Sequence, residues 1–158
     1  MGAVQNYVGD SVNGQPVVRS LAGAVIWSQV ATLQNVRARV AIADINAGLV
    51  LLPALAGFKY RLVRATAIAI GGAAGAVTTV DILGVQSTSS VKLVAFAQAS
   101  LTQNAELKSG GTGATILAGG VSYVANDAGS AISIGKTGSN VTTATHVDVN
   151  LDYVVEAV

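Results

Sequence analysis

The chain has 158 residues, 51% hydrophobic and 11% charged, with nine Lys and Arg against eight Asp and Glu. That apolar content excludes disorder as the main state, and a net charge of +1 removes any case for nucleic acid or an anionic membrane held by bulk charge. With no cysteine, disulfides, thiolate catalysis and thiolate metal sites are excluded as well.

Residues 1–20 are polar and glycine-containing, with apolar touches at Val4, Tyr7, Val8 and Val17. They read as an arm or a first irregular hairpin, with Asn13-Gly14 as a two-residue turn signal. An arm of this kind is ordered against a partner. The 21–158 remainder reads as one domain. Ala24–Leu33 is an apolar run with Trp27 at its centre, expected to be a strand. Val36–Ala43 alternates, with Val36, Ala38, Val40 and Ile42 on one face and Arg37 and Arg39 on the other. That is the period of a half-buried strand.

Asp44–Gly48 breaks the pattern. Leu49–Leu55 is apolar but contains Pro53, which suits an edge strand or an irregular crossing. Phe58–Ile70 reads as a long strand with Phe58, Tyr60, Leu62, Thr66, Ile68 and Ile70 on one face. Lys59, Arg61, Val63 and several alanines fall on the other. Arg64 lands on the apolar face, which points to a bulge near Val63-Arg64. Val77–Gly84 and Ser90–Ala97 read as strands joined by a turn at Gln86–Ser89, and 97–106 as a short helix or a loop. Short strands are expected at 114–118, 122–125 and 131–135. From Thr145 to Val155 the alternation is strict: Thr145, Val147, Val149, Leu151, Tyr153 and Val155 face one way. His146, Asp148, Asn150, Asp152 and Glu156 face the other, so one face is wet. Eight to ten short strands with turn chemistry between them predict an all-β, antiparallel β-sandwich or barrel.

Few motifs carry chemistry. Gly135-Lys136-Thr137 resembles the end of a phosphate loop, but Ser130 stands where that motif needs its first glycine. A hairpin turn with a solvated Lys is the plainer reading. His146, Asp148 and Asp152 share a strand face, but no second His supports a metal site. No serine in a nucleophile-elbow context accompanies His146, so no enzyme, cofactor or metal is expected. Arg37 and Arg39, with Lys59, Arg61 and Arg64, would form a basic face if their strands pair. Such a face is either solvated or a contact for an acidic protein surface, whose carboxylates the guanidinium fork grips two-pronged. Trp27 is core, or an anchor if exposed. No stretch is long and apolar enough to span a bilayer as a helix, and no basic-then-apolar leader opens the chain.

Three stretches together resemble bacteriophage capsid decoration proteins, also called cement or head-stabilising proteins: INAGLVLLPALAGFKYRLVRATAIAIGG (45–72), VDILGVQSTSSVKLVAFAQASLTQN (80–104) and AISIGKTGSNVTTATHVDVNLDYVVE (131–156). The resemblance lies in texture and phrase order, and no site motif comes with it. It implies an all-β shell component, a β-sandwich or jelly roll with an extended N-terminal arm. Such a protein is made in the host cytoplasm and carried on the outer capsid surface of the virion. It would be a homo-oligomer, a trimer or a dimer with the trimer favoured, clamping neighbouring major capsid subunits. The contact residues it would use, for the capsid or for other copies, are Tyr7, Arg19, Trp27, Arg37 and Arg39. The alternative from another class is a head-fibre, tail or baseplate module binding a host-surface glycan, for which the aromatics are few.

Overall fold

The structure is a computed structural model that describes residues 6–12, 15–19, 25–27, 32–103, 105–108, 114–115 and 126–158. It is all-β, and the strand pairings are antiparallel. Three strands, β1 (Asn6–Val12), β2 (Gln15–Arg19) and β3 (Val25–Trp27), pair in that order. Val12 lies opposite Gln15, the spacing of a two-residue hairpin. The turn residues 13–14, like the strand expected at 122–125, lie outside the described residues.

The remaining strands form two sheets. One runs β4 (Leu33–Ala41), β12 (His146–Ala157), β6 (Phe58–Ile70), β9 (Leu107–Lys108). The other runs β10 (Ala114–Thr115), β8 (Ser89–Ala97), β7 (Val77–Gln86), β11 (Ile132–Gly138), β5 (Leu49–Leu52). The pairings nest: β4 with β12, β5 with β11, β6 with β9, and β7 with β8. The chain is thus an antiparallel ribbon rolled up around its tip. At the tip, Gln86 pairs with Ser89, and Ser87 and Thr88 both take positive φ, 49° and 65°. That is the twist a two-residue hairpin needs, here without glycine.

One apolar core is shared by both sheets. It takes Val147, Val149 and Leu151 from β12, Val80 and Ile82 from β7, Phe96 from β8, and Ile132 and Ile134 from β11. The strict alternation expected in β12 holds where it matters, since those three residues are buried while His146, Asp148 and Asn150 are only partly so. Leu49–Leu52 is an edge strand, as Pro53 suggested. The break after β4 is a short helix, α1 (Ile42–Ala47), with Ile45 fully buried. Gly48 ends it at φ +86°, its N–H reaching the carbonyls of Asp44 and Ile45. Residues 98–103 and 105–106 are irregular, a turn followed by loop, with Leu101 buried.

The expected face of β6 needs a correction. Asp152 pairs with Arg64, but the next residue, Tyr153, pairs with Leu62. Val63 is the extra residue, and its side chain is exposed. One inserted residue shifts a period-two pattern by one. Tyr60 and Leu62 therefore face the core before the bulge. After it the core face belongs to Ala65, Ala67 and Ala69, at most 1% exposed, with Thr66, Ile68 and Ile70 on the outside. The bulge itself was expected, but its effect on the second half of the strand was not carried through. Small side chains let the opposing sheet approach there. Gly135 on β11 instead makes room within its own sheet, since an added Cβ would lie 2.9 Å from Leu83 Cδ1 on the adjacent β7.

This assignment separates two neighbouring substitutions. Ala67→Leu overpacks the core and is expected to cost about 1–3 kcal/mol. Ile68→Thr, on the outer face, is expected to cost less than about 1 kcal/mol. Urea unfolding of both variants checks it; the reverse order would mean an unbroken pleat from Phe58.

Candidate functional site

The outer face of the four-stranded sheet gathers most of the charge in the described residues. Its register sets cross-strand rungs: Leu33–Val154–Arg61, Asn35–Asp152–Arg64, Arg37–Asn150–Thr66, Arg39–Asp148–Ile68 and Ala41–His146–Ile70. The basic face expected from Arg37, Arg39, Lys59, Arg61 and Arg64 does not form. It required β4 and β6 to pair, and β12 lies between them. The acids of β12 meet the arginines from both sides.

Arg39 grips Asp148 with both prongs, Nε to Oδ1 and Nη2 to Oδ2, each 2.8 Å. Arg64 Nε donates to Asp152 Oδ2 at 2.8 Å, and Asn35 Nδ2 donates to Asp152 Oδ1 at 2.6 Å. Arg61 and Lys59 share Glu156, at 2.6 and 3.4 Å. Asp152 is 9% exposed, so its two partners supply what water no longer can. The hydrogen bond from Arg39 holds the Asp148 carboxyl below the usual carboxylate range, against the opposing effect of burial, with the charges of Arg39 and His146 adding to it. Glu156 is lowered in the same way, first by its hydrogen bond from Arg61.

Arg37 is different. It is exposed and pairs with no carboxylate among the described residues. It borders a groove of about 410 Å³ across the middle rungs, with Thr66 and Ile68 of β6, Asn150 of β12 and Glu106 before β9. Asn150 Oδ1 is taken by Asn35, so its amide nitrogen is the atom left to donate. Glu106 lies 3.9 Å from Lys108.

The structure thus distinguishes two of the sequence candidates: Arg39 is locked in a pair, Arg37 is not. Tyr7, Arg19 and Trp27 belong to β1, β2 and β3, and their side chains lie outside the described set. His146, expected on a wet face, is half-buried: Thr145 Oγ1 lies 3.0 Å from its Nδ1, and its Nε2 is buried without a hydrogen-bond partner among the described residues. The acids suggested as metal ligands beside it are engaged by Arg39, Arg64 and Asn35. Gly135-Lys136-Thr137 lies inside β11, a strand rather than the expected turn.

Thr137 instead donates to Asp81 Oδ2 at 2.7 Å, and Lys92 lies 3.3 Å from the same oxygen. Asp81 is fully buried, and its Oδ1 has no hydrogen-bond partner among the described residues. Sequence reading missed both Asp81 and the groove. A lone Asp in an apolar strand carries no signal of its depth, and the groove depends on register between distant strands. Compared with known families, with curated proteins and with solved structures, the chain matches none.

The lowered Asp148 has a sign that can be checked. A carboxylate with a depressed folded value stabilises the fold above its unfolded value near ~3.9 and loses that contribution as pH falls through the folded one. In low salt, the wild type is expected to lose more stability than Asp148→Asn between pH 5 and pH 2, read as the shift in urea midpoint. Parallel losses would show the pair to be inert.

Proposed function

We propose that the chain is a structural, non-enzymatic virion protein that decorates a bacteriophage capsid and stabilises it by bridging neighbouring major capsid subunits. The observation that carries this reading is the nested pairing of β4–β12, β5–β11, β6–β9 and β7–β8. A ribbon rolled in this order supports a jelly-roll reading, an architecture shared by viral capsid and lectin domains. The phrase-level resemblance to decoration proteins points the same way.

Physical features support the role. Two long central strands, β6 of 13 residues and β12 of 12, and a single core make a rigid body, suited to a permanent load. Leu49, Val50 and Leu55 are exposed on and just after edge strand β5, within a stretch from 45 to 58 that has no charged residue. An uncharged, apolar edge is an association surface in waiting. It supports a homo-oligomer, and the resemblance to decoration proteins favours a trimer before a dimer. Residues 1–20, whose strands β1 and β2 pair with each other and with β3, act as an arm laid across a neighbour, adding contact area. Many copies on a lattice then reinforce one another. The protein sits on the outer capsid surface, with no nucleic acid, membrane or cofactor among its partners. Glycan recognition gains no support from Tyr60 and Tyr153, which pack edge-to-face at 5.6 Å, with Tyr60 buried.

Quantitative mass spectrometry of purified virions tests the reading. Hundreds of copies in a simple ratio to the major capsid protein are expected. A handful would move the chain to a vertex or tail, and absence would end the proposal. Deleting residues 1–20 is expected to leave the sandwich folded, with its circular-dichroism spectrum kept, and to weaken attachment to heads. Unchanged attachment would remove the arm.

A further inference from the structure

We infer that the outer face of the four-stranded sheet is the capsid-facing surface, and that its groove receives an acidic side chain of the major capsid protein on Arg37. The inference rests on the decoration reading above and names the surface that reading leaves open.

Charge complementarity selects the occupant. Around the groove stand Arg37, Arg39 and Lys108 against Asp148 and Glu106. Asp148 is consumed by Arg39, and Glu106 is offset by Lys108. One positive charge remains, on Arg37. Its planar fork is suited to a carboxylate. The Asn150 amide nitrogen, one strand away on the same rung, is placed to donate a further hydrogen bond. Thr66, 4% exposed, and Ile68 line the groove beside them.

Apolar contact is available two rungs along. Leu33 is 63% exposed on this face, beside the outward Val154, and Val63 is 52% exposed at the bulge on β6. A monomer gains nothing from two large apolar side chains in water beside an arginine that is unpaired among the described residues on one sheet face. A protein surface bearing a carboxylate and an apolar patch satisfies both.

The test uses heads depleted of this protein and the full chain. Wild type, Arg37→Glu, Arg37→Gln and Leu33→Asp are titrated onto the heads, with Lys136→Glu on the other sheet as a control of equal charge change. Arg37→Glu is expected to weaken attachment at least tenfold, with Lys136→Glu and all melting temperatures unchanged. Wild-type affinity should fall with added salt more steeply than that of Arg37→Gln, since one ion pair is lost. Wild-type affinity retained by Arg37→Glu overturns the inference and leaves the decoration reading standing. Failure of the wild type itself to bind overturns both. A changed oligomer size for Arg37→Glu in solution would assign the groove to a second copy of the chain, and the inference would fall in that case too.

Discussion

The four-stranded sheet depends on β12. Among the described residues it is the only strand that touches both β4 and β6 along most of its length, and each of its faces answers a different requirement. Val147, Val149 and Leu151 complete the core. Asp148, Asp152 and Glu156 neutralise arginines that reach in from both flanks. Without those acids, β4 and β6 would present a row of like charges across a narrow sheet, a destabilising arrangement. Exposed ion pairs add little stability each. Their effect here is one of register, because a one-residue slip of β12 would place its acids in the core and its valines in water.

Legibility in the sequence followed the range of the interactions. Period-two patterning is local, so β4, β7, β8 and β12 could be read directly, as could the Gln86–Ser89 turn and the edge position before Pro53. The bulge at Val63 was legible because Arg64 broke the pattern. Its consequence was not, because Ala and Ile are both apolar and either set could fill a core. Only the pairing of Leu62 with Tyr153 shows that the alanines turn inward. The basic face failed for a related reason. Arg37, Arg39, Arg61 and Arg64 were each visible, but the strand that separates them lies more than 80 residues further along the chain. Asp81 shows the limit most clearly, since its depth is a property of the assembled sheet alone.

The two outer faces are built on opposite terms. On the five-stranded sheet, the Asp81 carboxylate is fully buried, held by the exposed Thr137 and by Lys92, whose side chain is one-third exposed. On the four-stranded sheet, the arginines of the ion pairs are open to solvent, Asp152 alone among their acids being buried, and the groove between them is accessible. Rearrangement is cheap in the second setting and costly in the first. A protein that meets its partner after folding is better served by the open face.

The nested pairing also sets an order of assembly. The β7–β8 hairpin joins strands separated by two residues and can zip at once, whereas β4 must wait for β12 across more than 100 residues of chain. Loop-closure entropy makes such distant contacts slow to form. During synthesis the arginines of β4 and β6 leave the ribosome long before their acids do. Until His146–Ala157 emerges, the four-stranded sheet lacks its centre and the shared core lacks one wall. The nascent chain therefore carries a finished hairpin and an open apolar flank at the same time. That window is when holding chaperones would engage it, and it closes only with the arrival of β12.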